Sequence, residues 1–297
     1  MPICIKVGQS LKSITDNYYK ILEFIGNGAN AYAYRCLCTS GNHRGIEFVL
    51  KIQYNLSNEM RRERFIRESA FLENCNHPSI LRQFDRGIYR DEYPFIITNY
   101  MPETLKRKMD IGEVSFESKM KYSCQLLSAV AFLQSKNVLH RDIKPNNIFI
   151  SDDNAVLGDF GLIKEIINSK VEESADDIEL VNSTVMANLV GYAAMAKNYR
   201  TPELVNYANH MDELHIESDV FQVGLVLTEL FSGKNPLRQT EKITDPLVLD
   251  KIGYIEVPFA GKTIHDTLAG MLQLDYHKRM TIQDALDRFT GIYCDMN

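Results

Sequence analysis

Tryptophan is absent from the 297 residues, so no part of the fold is anchored by an indole. Cysteine is scarce. The six, at positions 4, 36, 38, 75, 124 and 294, form no CxxC pair and have no histidine at metal-ligand spacing, which argues against a zinc site and a disulfide framework. A reducing, cytoplasmic setting is the simplest expectation. No run approaches the roughly 18 apolar residues of a membrane span. The longest apolar-rich stretch, Val220 to Phe231, is interrupted by Gln222, Thr228 and Glu229. The opening Met1-Pro2-Ile3-Cys4-Ile5-Lys6 lacks the basic-then-apolar order of a signal peptide, and internal repeats and low-complexity tracts are missing.

What is present is a chain that is 45% hydrophobic with 33 basic and 39 acidic residues, net −6. That is enough apolar material for a sizeable core, in one large domain or two of ordinary size. Residues 1–100 hold 13 basic and 10 acidic side chains, and the remainder 20 and 29. That balance argues against a wholesale nucleic-acid-binding surface.

The first hundred residues read mostly as strands: Tyr18 to Phe24, Ala31 to Cys38, Ile46 to Tyr54, Ile80 to Tyr89 and Phe95 to Met101. One helix interrupts them, with Ser57 as expected N-cap and Arg64, Glu68 and Leu72 at i, i+4, i+8 on one face. Met101-Pro102-Glu103 reads as a connector. Beyond it Phe116 to Lys136 carries apolar residues at 120, 126, 127, 130 and 133, close to a helical period, and the second half reads as helical. The polar, acidic stretch Asn168 to Leu189 has no period and is expected to be a mobile loop.

Three clusters carry chemistry. Gly26-Asn27-Gly28, between two expected strands, lets backbone N–H groups approach phosphates closely; a plain Gly-rich hairpin turn is the competing reading. Lys51, within Phe48-Val49-Leu50-Lys51-Ile52, needs a partner for its charge, and Glu68 on the following helix is the natural one; a solvated lysine is the alternative. His140-Arg141-Asp142-Ile143-Lys144-Pro145-Asn146-Asn147, followed by Asp159-Phe160-Gly161, gathers an acid, two cations and an amide, then a second acid. Those groups offer oxygen ligands suited to Mg2+ and a carboxylate able to accept a hydroxyl proton.

In this order and spacing the motifs resemble those of the eukaryotic-type protein kinases, over about residues 18 to 290. The resemblance implies an α+β, bilobal fold: a small antiparallel β-sheet N-lobe with helix C over 18–100, and a larger, mainly helical C-lobe over 101–290. Residues 1–17 would be a leader and 291–297 a tail. It implies ATP and Mg2+ as cofactors, with Gly26, Asn27 and Gly28 in the phosphate loop, Lys51 on the α- and β-phosphates and Glu68 as its partner. Adenine would lie against Asn99 to Met101, with Thr98 guarding the deeper pocket. Asp142 matches the catalytic aspartate, Lys144 the lysine beside the γ-phosphate, and Asn147 and Asp159 the magnesium ligands. Lys144 at that place implies serine/threonine acceptors on protein substrates. Thr201-Pro202-Glu203 resembles the family's Ala-Pro-Glu, Arg279 the arginine paired with that glutamate, and Asp219 the aspartate that supports the catalytic loop. No nucleic acid partner and no membrane segment are implied, and nothing in the pattern speaks to oligomeric state.

The chain departs from the family at Ala31 for the third loop glycine, Ala33 for the valine over adenine, Ala196 for a threonine that bonds the catalytic aspartate, and Phe221 for tryptophan. Asn146 stands where many arginine-preferring kinases have glutamate. The segment Asp159 to Glu203 is long, at 45 residues. Arg141, Arg64 and Lys164 would form an anion pocket for phosphorylated Ser183 or Thr184, or would instead meet the loop's own carboxylates, Glu172 to Glu179. Beside an active enzyme, with its own activation segment among the acceptors, two rivals stand: a pseudokinase scaffold, which Ala31 and Ala196 favour, and a kinase of small molecules, which shares the Asp…Asn…Asp core but is disfavoured by Lys144, Pro202-Glu203 and Arg279.

Overall fold

The computed structural model describes residues 5–28, 31–166, 198–209, 215–240, 242, 244–255, 257 and 260–296. The chain divides into two compact units, Met1–Pro102 and Glu103–Asn297. Each is built around its own apolar core.

In the first unit, the described residues form a sheet from β1 (Ser10–Lys12), β2 (Tyr18–Asn27), β3 (Ala31–Cys38), β4 (Glu47–Gln53), β5 (Gln83–Tyr89) and β6 (Tyr93–Asn99). The spatial order is β1-β2-β3-β4-β6-β5, every pairing antiparallel. Alternation places Tyr19, Ile21, Tyr34, Cys36, Phe48, Leu50, Ile52, Phe95 and Ile97 in one buried cluster. Helix α1 (Glu59–Asn74) carries Phe65, Glu68 and Leu72 as buried residues. Its N-cap is Asn58, whose side chain accepts from Arg61 N at 3.0 Å. Ser57 was the expected cap, but its hydroxyl is spent two residues back on Asn55 Oδ1 at 2.9 Å. The strand expected from Ile80 starts only at Gln83, and the one expected from Phe95 already begins at Tyr93.

Ser10–Lys12 lies in the stretch read as a leader, yet pairs with β2 from Ser10↔Lys20 to Lys12↔Tyr18. Leu11 anchors it in the buried cluster, and the turn that follows it is tied down by a buried carboxylate. Asp85 Oδ2 accepts from Ser13 Oγ (2.7 Å), Thr15 Oγ1 (2.6 Å), Tyr19 Oη (2.9 Å) and Asn17 Nδ2 (3.3 Å). Burial alone would raise the Asp85 carboxyl, but these donors outweigh it and leave it below the ordinary value.

The second unit contains a three-stranded sheet, β7 (Glu103–Thr104), β9 (Ile148–Ser151) and β10 (Asn154–Leu157), in the order β10-β9-β7. A two-stranded pair joins β8 (Val138–Leu139) to β11 (Lys164–Glu165). Among the described residues its α-helices are α2 (Leu105–Asp110), α3 (Phe116–Ser135), α4 (Pro202–Ala208), α5 (Glu217–Ser232), α6 (Gly261–Met271) and α7 (Ile282–Asp295). Helix α5 is buried nearly all round, from Ser218 through Thr228, which makes it the centre of the unit. It ends at Gly233, whose φ of 75° is the left-handed conformation glycine adopts without steric cost. No helix of the described residues is long and apolar enough to cross a membrane.

Candidate active site

In the first unit, Lys51 sits mid-strand on β4, paired with Ala33 and Ile96. Its Nζ reaches both carboxylate oxygens of Glu68 at 2.8 and 2.9 Å. The glutamate is 3% exposed and the lysine 26%, so the lysine end of the pair stays open. Gly26 and Asn27 close β2 against Ala33 and Tyr32, with a register irregularity between Phe24 and Gly26. Gly28 N donates to Ala31 O at 2.9 Å, and a Cβ placed on Gly26 would meet nothing within 4 Å. Neither packing nor backbone conformation requires glycine at 26. Thr98 is buried on β6, the Asn99 side chain accepts from Arg82 N at 3.0 Å, and Met101 is half-buried in the irregular stretch beyond.

In the second unit, Asp142, Lys144 and Asn147 converge. Lys144 Nζ lies 2.7 Å from each Asp142 oxygen, and Asn147 Nδ2 donates to Asp142 Oδ2 and to its main-chain carbonyl, both at 2.8 Å. Burial pushes the Asp142 carboxyl above its ordinary value, Lys144 pulls against it, and the charge of Asp159 adds to the rise. Because both acceptors can only accept, the amide nitrogen of Asn147 faces Asp142 and its Oδ1 is turned elsewhere. Asp159 is exposed, with φ of 58°, while the next residue, Phe160, is fully buried against the His140 ring at 4.8 Å. Asn147 Oδ1 and the Asp159 carboxylate are hard oxygen donors, and such a pair plus substrate phosphates suits Mg2+.

This loop is held from below by α5. Asp219 Oδ2 accepts from His140 N at 2.7 Å and Oδ1 from Arg141 N at 3.0 Å. His140 is buried and neutral: burial lowers its pKa, Nε2 bonds Gly158 O at 3.1 Å, and Nδ1 accepts from Asp142 N at 3.3 Å. Arg141 takes φ of 67°, unusual for a long side chain, and its Nε donates to Leu162 O at 2.7 Å. Glu203, on α4, meets Arg279 at 2.6 Å with both side chains essentially excluded from solvent.

A profile of the protein kinase domain matches residues 19–289. The chain belongs to the protein kinase family. It is 28% identical over 227 residues to a probable serine/threonine-protein kinase of Clostridium acetobutylicum, covering 75% of this chain and 31% of that one. It is 27% identical over 286 residues to death-associated protein kinase 2 of Mus musculus, covering 91% and 70%. A probable myosin light chain kinase of Dictyostelium discoideum is 29% identical over 291 residues, covering 93% and 54%. The chain thus spans about a third of the length of the clostridial relative.

Phe221, expected to stand for the family's tryptophan, is fully buried, and the Arg279 guanidinium lies over its ring at 5.1 Å. Arg64 is buried on α1 of the first unit; in the second, Lys164 pairs with Leu139 across β11 and β8. Ser183, Thr184 and Ala196, and with them Asn168 to Leu189, lie outside the described residues. One contributor escaped sequence reasoning. Gln222 bonds the backbone at Arg141, Ile143 and Tyr199. Its only sequence signal was polarity inside an apolar run.

Proposed function

We propose that this kinase domain transfers the γ-phosphoryl group of ATP, with Mg2+, to serine or threonine hydroxyls of proteins, its own activation segment among the candidate acceptors. The observation that carries the reading is the Asp142 carboxylate, held between Lys144 and Asn147 on a loop whose backbone is fixed by Asp219. Asp142 would accept a hydrogen bond from the acceptor hydroxyl, orient it and take its proton as the new P–O bond forms. Its raised pKa makes it a better base than an exposed aspartate. Lys144 would leave one Asp142 oxygen to contact the migrating phosphoryl group.

Lys51, oriented by Glu68, would hold the α- and β-phosphates, and Gly26, Asn27 and Gly28 would cover them with main-chain N–H groups. The open space where a Gly26 side chain would stand supports that approach. Thr98, Asn99 and Met101 would border the adenine. Asn147 and Asp159 would hold Mg2+, which when bound offsets charge on the phosphate oxygens. Catalysis would then consist mainly of positioning and electrostatics. A reducing, cytoplasmic location belongs to the same reading, supported by the free thiols among the described cysteines; burial pushes that of Cys36 up to about 12.

The test is incubation with γ-labelled ATP and Mg2+, with and without a generic basic protein, followed by phosphoamino-acid analysis. Label on serine and threonine, lost on chelating Mg2+, is the expected result. Label on tyrosine alone would refute the acceptor class; nucleotide binding with no transfer would favour a scaffold, and transfer only to small molecules a metabolite kinase.

A further inference from the structure

Gln222 spends its whole carboxamide on main-chain groups around Asp142. Its Oε1 accepts from Ile143 N at 2.9 Å, and its Nε2 donates to Arg141 O at 3.2 Å and Tyr199 O at 3.0 Å. The orientation is unambiguous, because an amide N–H only donates and a carbonyl only accepts. Arg141 and Ile143 are the two neighbours of Asp142, so one side chain grips the backbone on both sides of it. The grip falls where the backbone is strained: Arg141 has φ of 67° and is restrained by Asp219 at its N–H and by Gln222 at its carbonyl.

The third bond reaches a separate stretch of chain. Tyr199 is fastened to α5 a second time by its hydroxyl, which donates to Glu229 Oε2. On either side of it, Asn235 Nδ2 donates to Asn198 O at 2.9 Å, and Arg200 Nη1 to Asp245 O at 2.7 Å. Residues 198–200 are therefore a fixed post, and Gln222, 4% exposed, is the direct strut from that post to the Asp142 loop.

We infer that Gln222 is a positioning residue for phosphoryl transfer, setting the aim of the Asp142 carboxylate by locking the peptides that flank it to the Tyr199 backbone. The inference rests on the kinase reading above. A buried glutamine that merely satisfies its own polar atoms would affect stability; a positioning one affects turnover at constant fold. Displacing a catalytic group by about 1 Å is enough to cost on the order of 100-fold in rate.

The test compares wild type with Gln222→Met, which keeps length and loses all three bonds, and Gln222→Glu, which keeps the acceptor for Ile143 but faces two carbonyls with a carboxylate. Leu227→Ala, elsewhere on α5, calibrates how much activity is lost through stability alone. For Gln222→Met, kcat is expected to fall about 10- to 100-fold with KM for ATP within about twofold. For Gln222→Glu, activity relative to wild type is expected to rise several-fold as pH falls from about 8 to 6, because the introduced carboxyl, buried beside carbonyls, takes up a proton and donates again. Turnover of Gln222→Met within about twofold of wild type, or reduced only in step with the Leu227→Ala calibration, would overturn the inference. Should Gln222→Met not fold, a deficit in Gln222→Glu that is independent of pH would overturn it. A wild-type chain that transfers nothing sinks the kinase reading itself, an outcome no Gln222 variant can imitate, and the positioning role falls with it.

Discussion

Replacing Arg279 by alanine would strip Glu203 of its counter-charge in a place where neither group touches water. In the wild type, Arg279 Nη2 meets Glu203 Oε1 at 2.6 Å, Nη1 donates to Glu217 O at 2.8 Å, and Nε to Gln273 O at 2.9 Å. After the substitution Glu203 keeps, among the described residues, the Ser218 hydroxyl, which donates to Oε2 at 2.9 Å. Breaking a buried pair from one side costs about 3–5 kcal/mol, most of it the penalty of a stranded charge. The guanidinium over Phe221 adds about 0.5–2 kcal/mol, partly counted already. A loss of about 4 kcal/mol is therefore expected. With a urea m-value of about 2–3 kcal/mol/M, the midpoint would fall by roughly 1.3–2 M. Far-UV circular dichroism suits the measurement, since the chain has no tryptophan to follow. The decisive companion is Arg279→Met with Glu203→Leu: with no charge left to strand, the double variant should be more stable than Arg279→Ala. A single-variant cost below about 1 kcal/mol, or a double variant as unstable as the sum of the singles, would refute the reasoning.

Other consequences are as concrete. Lys51→Met should lower transfer by at least about 100-fold, and adding Glu68→Leu should restore folded stability without restoring transfer, which separates the ion pair's two roles; activity assays and thermal melts on the same samples check it. Asp85→Asn should cost about 1.5–3 kcal/mol at pH 7 through weakened bonds to Ser13, Thr15 and Tyr19. Because the folded pKa of Asp85 lies below its unfolded value, its contribution is present above about pH 4 and is lost as pH falls further, so the two proteins should converge in stability under acid. Asp142 has the opposite sign. Its folded pKa is raised, so the ionised form weakens the fold at neutral pH, and Asp142→Asn should raise Tm by a few degrees at pH 7, a gain that disappears below about pH 4.

What could be read from the sequence, and what could not, divides along physical lines. Lys51 and Glu68 were legible because a charge inside an apolar strand demands a partner and a helix face offered one. The convergence of Asp142, Lys144 and Asn147 was legible because a few residues of spacing leave little freedom. The strand Ser10–Lys12 was not, since three residues have almost no propensity of their own, and the turn after them is tied to a carboxylate 72 positions from Ser13. The cap at Asn58 was missed by one residue because Ser57, Asn58 and the preceding Asn55 compete for the same turn, and only geometry decides which side chain faces Arg61 N. Gln222 looked like a blemish in an apolar helix until the loops packed against it were in view.

The most direct test of Asp142 as the group that receives the hydroxyl proton is a single-turnover measurement of γ-phosphoryl transfer by wild type and Asp142→Asn at saturating ATP, with nucleotide affinity determined on the same preparations. Transfer should fall by about 1,000-fold or more while the Kd for ATP stays within about threefold, since a base at Asp142 would act on the acceptor and not on the nucleotide. Undiminished transfer by Asp142→Asn, or affinity and transfer lost together, would contradict that role.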